Sequence, residues 1–361
     1  MKPRIGDLSL GTQYLGGMPL PIGQPVPWFN APTPSNREFV FDTAAGRYVL
    51  MLFLPAEAEA RGVALQALAA HQGMFDDVRA SAFVVFCDPE FGRGLKDLRG
   101  LRWMFDRGPV TERYGPEPHW LLLDPTLRVL ATAPIDQGEE MFRKLAALPA
   151  PADHAGVPLH APVLIAPRIF EPELCEALIA LHQADGGRFT GVMRDEGERT
   201  VAVMDELKKR RDILVEPLNL QAAIRERLAR RLFPLIKLAL GFTVTHTERL
   251  LVSRYDADEG GVFHAHRDNT TQGTAHRRFA CSLNLNDDFE GGDLRFAEYG
   301  PATYRPPKGG AVVFSCGLMH EATRITAGRR YAFLPFFYDE AGAETLAAYN
   351  ARVAQLEPAR P

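Results

Sequence analysis

The sequence predicts two domains of different class, an N-terminal α/β domain followed by a C-terminal α+β domain with a β-rich core. The chain has 361 residues, and domains of about 150 residues each are typical at this length. Strand and helix patterns alternate before residue 150, whereas helices precede many short strands after it. A Pro-, Ala- and Gly-containing stretch over residues 149–158 is typical of a linker. We therefore place the domains at residues 1–150 and 151–361.

Composition excludes several classes of protein. Hydrophobic residues make up 46% and charged residues 24%, which is ordinary for a soluble globular protein. The net charge of −4 favours neither nucleic acid nor an anionic membrane as a partner. No apolar run approaches the roughly 20 residues that cross a bilayer, and no apolar segment follows the first residues as in a signal peptide. Four cysteines without CxxC spacing indicate a reducing, cytoplasmic location.

The N-terminal domain is predicted from apolar runs and their terminators. A continuous apolar run ending at Pro55 and another ending before Pro89 are typical of buried strands. An Ala- and Leu-rich segment between them favours a helix. The predicted elements are an extended Pro-rich lead-in over 1–35, strands at 48–54 and 82–87, a helix at 57–70, a hairpin at 119–132 and a helix at 139–148.

The C-terminal domain begins with helices. An amphipathic helix is predicted over 172–182, and a longer one over 218–240 with a kink at Pro234. Short strand-like segments then alternate with Gly-containing turns, which indicates a β-sandwich or barrel flanked by helices. The predicted strands are 243–255, 279–285, 293–296, 311–314 and 331–337.

Two imidazoles and a carboxylate stand out as candidate metal ligands. His266 and Asp268 form a His-x-Asp triplet after a Gly-Gly turn, and His320 follows the predicted strand 311–314. Two histidines and one carboxylate on one face of an octahedral ion are the ligand set of non-haem Fe(II) oxygenases. A His-x-Asp triplet alone is a weak signal. The later His320, with Arg330 ten residues after it, strengthens the prediction.

The C-terminal domain resembles a known enzyme family. Residues 245–338 resemble the catalytic core of the prolyl 4-hydroxylase-like branch of the 2-oxoglutarate/Fe(II)-dependent dioxygenases. The similar stretches are 255–269, 283–296 and 314–331, and helical residues 160–240 resemble the segment that precedes this core. The resemblance implies a double-stranded β-helix (jelly roll) in which His266, Asp268 and His320 bind Fe(II).

The resemblance also implies a 2-oxoglutarate site. Arg330 would pair with the distal carboxylate of the cosubstrate, since a guanidinium matches a carboxylate bidentately. Tyr255 and Asn284 would contact the cosubstrate, although many relatives carry tyrosine where this chain has Asn284. Arg329 competes with Arg330, but strand alternation lets only one of them point inward. His264 competes with His266, and we expect it behind the metal ligands or at the pocket wall because it lacks the His-x-Asp spacing.

The implied reaction is hydroxylation of an unactivated C–H bond with O2, giving succinate and CO2 as co-products. The implied substrate is a peptidyl or free prolyl or other amino-acid residue, with ascorbate as a reductant. The presence of Asp268 favours hydroxylation over halogenation, because halogenating relatives replace this carboxylate. Two alternatives stay open at this point: a small-metabolite hydroxylase of a biosynthetic pathway, and a non-catalytic metal-binding or redox-sensing scaffold.

The N-terminal half resembles a second family. Residues 16–148 are similar to the thioredoxin-like fold of peroxiredoxins, on residues 23–29, 52–55 and 119–125. Those enzymes carry a hydroxyl residue and a reactive thiol after the first strand, but here Pro55 is followed by Ala-Glu-Ala-Glu-Ala-Arg, with neither a hydroxyl nor a thiol. We expect a degenerate domain that serves substrate docking, homodimerisation or stability, with Cys87 as a buried structural residue.

Two polar segments remain ambiguous from sequence. The basic run 208–212 predicts a solvated face, with docking of an acidic substrate or cosubstrate as the alternative. Residues 269–278, which include His276, Arg277 and Arg278, are compatible with a lid over the site or with a solvated loop.

Overall fold

A computed structural model describes residues 20–356 of the chain. The chain divides into two compact units, one extending to Leu159 and including Ala297–Gly300, the other comprising His160–Phe296 and the residues from Pro301 onward. The first nineteen residues of the predicted lead-in, where a signal peptide was not expected, lie outside the described residues. Residues 20–35 contain a short strand and no helix, as the proline content predicts.

The N-terminal unit is built on a five-stranded sheet of order β5-β4-β3-β6-β7. Strands β3, β4 and β5 run parallel, and β6 and β7 are antiparallel to their neighbours. The strands are β1 (Asn30–Ala31), β2 (Phe39–Val40), β3 (Tyr48–Phe53), β4 (Ala80–Phe86), β5 (Leu101–Phe105), β6 (His119–Leu123) and β7 (Val129–Pro134). The helices are α1 (Ala58–Ala70), α2 (Pro109–Tyr114) and α3 (Gly138–Ala147).

Both faces of this sheet are covered, which explains the uninterrupted apolar runs. Along β3, Val49 and Met51 enter one core cluster while Leu50 and Leu52 enter the other. Helices α1 and α3 pack on the second cluster and α2 packs on the first. The predicted strands, helices and hairpin of this unit are confirmed, whereas β5 and α2 were not predicted.

The prediction for Cys87 is wrong. The residue follows the last position of β4 and is exposed, with its Sγ 3.7 Å from Thr111 Oγ1. The strand ends one residue earlier than the apolar run suggests. Cys87 therefore lies beyond the buried part of the sheet.

The C-terminal unit contains two main antiparallel sheets. The strands are β8 (Leu164–Ala166), β9 (Arg188–Phe189), β10 (Val192–Glu196), β11 (Arg199–Val203), β12 (Lys208–Lys209), β13 (Arg211–Leu214), β14 (His246–Glu248), β15 (Leu251–Asp256), β16 (Val262–His266), β17 (Phe279–Asn284), β18 (Phe289–Gly291), β19 (Leu294–Arg295), β20 (Thr303–Tyr304), β21 (Ala311–Ser315), β22 (His320–Ala322), β23 (Ile325–Phe333) and β24 (Phe336–Tyr338). The helices are α4 (Pro172–Asp185), α5 (Leu218–Arg227), α6 (Phe233–Leu240) and α7 (Glu340–Gln355).

The larger sheet has the order β14-β24-β17-β23-β15-β13-β9, with β21 pairing β17 and β8. The smaller sheet has the order β12-β16-β22-β19-β20. Tyr255 of the larger sheet and Ala322 of the smaller one share a hydrophobic cluster with Phe289 and Ile325. The two sheets thus share a core in a jelly-roll arrangement, with helices α4 and α5 packed on the larger sheet.

The long helix predicted over 218–240 is interrupted one turn before the expected kink. A π-helical turn at Leu228–Leu232 joins α5 to α6. Pro234 lacks an N–H and its ring clashes with the carbonyl four residues earlier, so the regular hydrogen-bond ladder cannot continue through Arg230. The chain absorbs this defect by widening the preceding turn.

Two further differences from the sequence prediction affect the site. The predicted strand 243–255 is divided into β14 and β15 by Arg249, whose φ of 59° lies in the left-handed region. The hairpin of β10 and β11 and the helix α7 were not predicted. Within residues 20–356, none of the helices combines the length and apolarity that crossing a lipid bilayer requires.

Candidate metal centre

Three side chains from two neighbouring strands form a group of metal-ligating type. His266 is the last residue of β16 and His320 the first residue of β22, and these two residues are directly paired across the smaller sheet. Asp268 follows β16 by two residues, and its N–H donates to the carbonyl of Cys316 at 3.0 Å. One ligand atom from each of the three residues lies within 4.8 Å of the others.

The distances in this group fit a single metal ion. His266 Nε2 lies 3.6 Å from Asp268 Oδ1, and His320 Nε2 lies 3.3 Å from Asp268 Oδ2. Ligand atoms about 2.1 Å from a metal are about 3 Å apart when they occupy adjacent octahedral positions. The distances between these donor atoms are therefore close to those that a single ion requires.

Backbone contacts fix the tautomer of both imidazoles. His266 Nδ1 lies 2.7 Å from the carbonyl oxygen of His264, and His320 Nδ1 lies 3.0 Å from that of Leu318. A carbonyl oxygen only accepts hydrogen bonds, so each Nδ1 carries the hydrogen and each Nε2 keeps its lone pair. This arrangement presents both Nε2 atoms as ligands.

The protonation states suit metal binding near neutral pH. Burial, reinforced by the neighbouring His266, lowers the pKa of His320 to about 4 despite the opposing charge of Asp268. Burial would raise the pKa of Asp268, but the adjacent His320 and His266 hold it well below its usual range. A neutral imidazole and a carboxylate are thus in place without prior proton loss.

Arg330 lies on β23 of the larger sheet and is 2% exposed. Its Nε donates to Asn284 Oδ1 at 2.9 Å and its Nη2 donates to Ser282 Oγ at 2.6 Å. Both partners are neutral, and no carboxylate within residues 20–356 forms an ion pair with this guanidinium. Burial lowers the pKa of Arg330, because desolvation disfavours the charged form.

Tyr255 and Asn284 both contact Arg330. Tyr255 pairs with Arg330 in register between β15 and β23, and the guanidinium carbon lies 5.5 Å from the centre of its ring. Asn284 accepts from Arg330, and its Nδ2 donates to the carbonyl of Pro306 at 2.9 Å. Both ends of the Asn284 amide are therefore already occupied by protein atoms.

The two competing residues lie elsewhere. Arg329 points outward with 56% of its side chain exposed, and its Nε donates to Asp256 Oδ2 at 2.7 Å. Alternation along β23 therefore directs only Arg330 inward. His264 is exposed, and its backbone carbonyl rather than its ring contacts His266.

Residues 269–278 are held by buried contacts at their C-terminal end. Glu248 accepts hydrogen bonds from Arg277 Nη2 at 2.6 Å and Nε at 2.9 Å, and lies 2.7 Å from His276 Nε2. Arg277 Nη1 also donates to the carbonyl of Asp268 at 3.3 Å. His276 and Arg277 are thus buried, and Arg277 supports the backbone of Asp268.

The prediction of a solvated face for the basic run is wrong for alternate residues. Lys208, Arg210 and Asp212 are buried, whereas Lys209 and Arg211 are partly exposed. Burial, reinforced by Arg210, lowers the pKa of Lys208 to about 7, although Asp212 opposes the shift. The run itself, Lys-Lys-Arg-Arg-Asp, does not alternate in polarity, so the sequence carries no period-two signal that marks its buried face.

The segment that contains these residues is similar to known proteins. Residues 250–338, about a quarter of the chain, match the model of the 2OG-Fe(II) oxygenase superfamily. A PKHD-type hydroxylase of Cupriavidus metallidurans is 30% identical over 131 residues, covering 32% of this chain and 58% of the relative. A PKHD-type hydroxylase of Acinetobacter baumannii is 37% identical over 91 residues, covering 23% of this chain and 39% of the relative. The chain thus spans about two fifths to three fifths of the length of these relatives.

Two solved structures are also similar. A prolyl-4-hydroxylase of Pseudomonas putida is 18% identical with a TM-score of 0.37, over 49% of this chain and 92% of that one. A prolyl hydroxylase of Trichoplax adhaerens, solved with a peptide fragment of the hypoxia inducible factor oxygen degradation domain, is 18% identical with a TM-score of 0.40, over 52% of this chain and 86% of that one.

The sequence match and the site lie in the same part of the chain. His266, Asp268 and His320 all fall inside the matched segment, as does Arg330. The superfamily uses Fe(II) and 2-oxoglutarate, and a His-Asp-His group of the required donor types is present. Residues 250–338 therefore match the 2OG-Fe(II) oxygenase superfamily in sequence and contain a donor set of the type that its metal requires.

Proposed function

We propose that this protein is an Fe(II)- and 2-oxoglutarate-dependent dioxygenase that hydroxylates an unactivated C–H bond. The co-products would be succinate and CO2. His266, Asp268 and His320 would hold Fe(II), which when bound supplies the activation of O2 that protein side chains cannot provide. The relatives described as PKHD-type hydroxylases support a hydroxylation.

The observation that carries the proposal is the buried guanidinium of Arg330. Burial of an unpaired charge is costly, and such groups are usually paired with an opposite charge. The two hydrogen-bond partners of Arg330, Asn284 and Ser282, are neutral. A dicarboxylate cosubstrate that chelates the metal through one end would bring its other carboxylate to this guanidinium.

The neighbours of Arg330 then take distinct roles. Tyr255 would donate its hydroxyl hydrogen to the cosubstrate. Asn284 would act indirectly, because both ends of its amide are already bonded and one of them orients Arg330. Arg329 would have no part, since it points away from the site.

We propose a peptidyl or free prolyl or other amino-acid residue as the substrate, with ascorbate as the reductant that keeps the iron in the ferrous state. The relatives support this substrate class only in that they are described as PKHD-type hydroxylases. For the N-terminal unit we propose a thioredoxin-like fold without peroxidase chemistry. Its sheet order and the absence of a thiol after β3 support this assignment.

The experiment that tests the proposal is an anaerobic titration of the protein with Fe(II) and 2-oxoglutarate. We expect a visible metal-to-ligand charge-transfer band that is lost in Asp268→Ala. Addition of O2 and proline-containing peptides should then yield succinate, with peptide hydroxylation measured by mass spectrometry. A well-folded protein that binds Fe(II) but gives neither the band nor succinate would refute the proposed activity.

A further inference from the structure

A buried ionic cluster lies beside the candidate metal centre and has no role in the function proposed above. It is centred on Asp212 and consists of Thr190, Lys208, Arg210, Asp212 and Ser253; we call it the Asp212 cluster. Asp212 Oδ1 lies 3.0 Å from Arg210 Nε and accepts from Ser253 Oγ at 2.6 Å. Thr190 also donates to Asp212, and Lys208 Nζ lies 3.4 Å from it.

Arg210 connects this cluster to the site. Its Nη1 donates to Tyr255 Oη at 3.1 Å, and its guanidinium carbon lies 5.4 Å from the centre of the Phe263 ring. That ring in turn stacks on His266 with a centroid distance of 3.6 Å. Arg210 therefore lies between Asp212 and the residues that surround the metal centre.

The contact with Arg210 determines the hydrogen-bonding role that remains for the Tyr255 hydroxyl. A guanidinium has donors only, so the phenolic oxygen must be the acceptor in this hydrogen bond. Tyr255 is 2% exposed, and within residues 20–356 its hydroxyl makes no other hydrogen bond. A buried O–H without an acceptor is unfavourable, and its hydrogen is available to a ligand oxygen.

Tyr255 is placed to meet such a ligand. It is the register partner of Arg330 on the adjacent strand, and the Arg330 guanidinium lies over its ring. A carboxylate bound by Arg330 would offer oxygen acceptors beside the Tyr255 ring. The phenolic oxygen already accepts a hydrogen bond from Arg210, and its own hydrogen is the group that it can offer to such a carboxylate.

We propose that Arg210 is a positioning residue that makes Tyr255 a hydrogen-bond donor to the cosubstrate carboxylate, and that Asp212 holds Arg210 for this purpose. The inference rests on the proposed function, because it requires an oxo-acid carboxylate at Arg330. It extends the site to the junction of β12 and β13, which precedes the segment that matches the oxygenase superfamily. Arg210 itself does not touch the cosubstrate.

The test is a double-mutant cycle on 2-oxoglutarate binding, measured anaerobically by the charge-transfer band of the Fe(II)-loaded full-length protein. The variants are Arg210→Gln, Tyr255→Phe and the double variant. In Arg210→Gln the carboxylate of Asp212 keeps Lys208, Ser253 and Thr190, so it is not left unpaired. Arg211→Gln is the matched control, because Arg211 pairs with Glu259 and is partly exposed.

We expect each single variant to weaken 2-oxoglutarate binding by about 5- to 10-fold, as the loss of one buried hydrogen bond implies. The double variant should be no weaker than Tyr255→Phe alone, since Arg210 acts through that hydroxyl. Arg210→Lys should restore part of the affinity, and Arg211→Gln should stay within about twofold of the parent protein. Thermal unfolding is recorded for every variant to separate folding from binding.

Each result decides between the inference and its alternatives. No charge-transfer band in the parent protein would overturn the proposed function and with it the inference. A normal band with unchanged binding in Arg210→Gln would overturn the inference alone. The inference would also be overturned if the losses of 2-oxoglutarate affinity in the two single variants multiply in the double variant, because Arg210 would then act independently of Tyr255. If Arg210→Gln does not fold, the same cycle is run with Arg210→Lys.

Discussion

Substitution of the three candidate ligands should affect iron binding far more than substitution of the nearby His264. We expect His266→Ala, Asp268→Ala and His320→Ala each to weaken Fe(II) binding by more than about 100-fold. Changing outer partners of metal ligands already costs about 10- to 100-fold, and a ligand costs more. Metal content after dialysis against Fe(II), with unfolding checked by circular dichroism, measures the effect.

His264→Ala is the control for these variants, because its exposed ring lies outside the ligand group. It should retain Fe(II) within about twofold of the parent protein, since only its backbone carbonyl contacts His266. Loss of iron in His264→Ala together with retention in His266→Ala would contradict the ligand assignment.

The adjacent residues Arg329 and Arg330 can be compared in their effect on the requirement for 2-oxoglutarate. Arg330→Gln should raise the concentration of 2-oxoglutarate needed for half-maximal turnover by about 10- to 100-fold, because a buried charge-assisted contact is lost. Arg329→Gln should change it by less than about twofold, since that side chain pairs with Asp256 at the surface. Succinate formation over a range of 2-oxoglutarate concentrations tests both, and the reverse order would assign the carboxylate to Arg329.

At the scale of elements, Glu248 on β14 fastens the segment that ends in Arg277. Burial would raise the pKa of Glu248, but His276 and Arg277 lower it to about 2 from an ordinary value of 4.5. A carboxyl group whose pKa is lower in the folded state stabilises that state at pH values above its pKa in the unfolded chain. This contribution disappears as the pH falls from about 4.5 to about 2.

Glu248→Gln should therefore lower the free energy of unfolding at pH 7 by about 1–3 kcal/mol. The difference from the parent protein should shrink below pH 4.5, which urea unfolding at several pH values measures. Glu206→Gln is the matched control, because Glu206 is exposed and pairs with Lys209 at the surface. A difference that is the same at pH 7 and pH 3 would show that the charge of Glu248 does not stabilise the fold.

The elements also show where sequence reasoning succeeds and where it stops. Strand β3 was predictable because a run buried on both faces is apolar throughout. His320 and Arg330 were predicted from their spacing in the motifs that carry the family resemblance, and strand alternation added that only one of Arg329 and Arg330 points inward. The burial of Arg210 was not predictable, because its partner Tyr255 lies 45 residues away and a charged run ordinarily faces water.

At the scale of the whole molecule, the N-terminal unit supplies a packed sheet but no thiol at the end of β3. We expect the full-length protein to show no thiol-dependent peroxidase activity, and Cys87→Ser to leave 2-oxoglutarate turnover unchanged. Peroxide consumption with a thiol reductant, followed beside succinate formation, tests this expectation. Peroxidase activity that disappears in Cys87→Ser would contradict it.

The direct pairing of His266 with His320 has a consequence for the order of folding. The two residues are 54 positions apart, and five strands, β17 to β21, lie between them in the chain. Contacts of such long sequence separation form late, because the loop between them must first be closed. The complete ligand set therefore does not exist in the unfolded chain, and iron binding should report the final docking of β22 rather than early collapse. The rate of iron dissociation from the native protein should likewise be limited by the local opening of this strand pair.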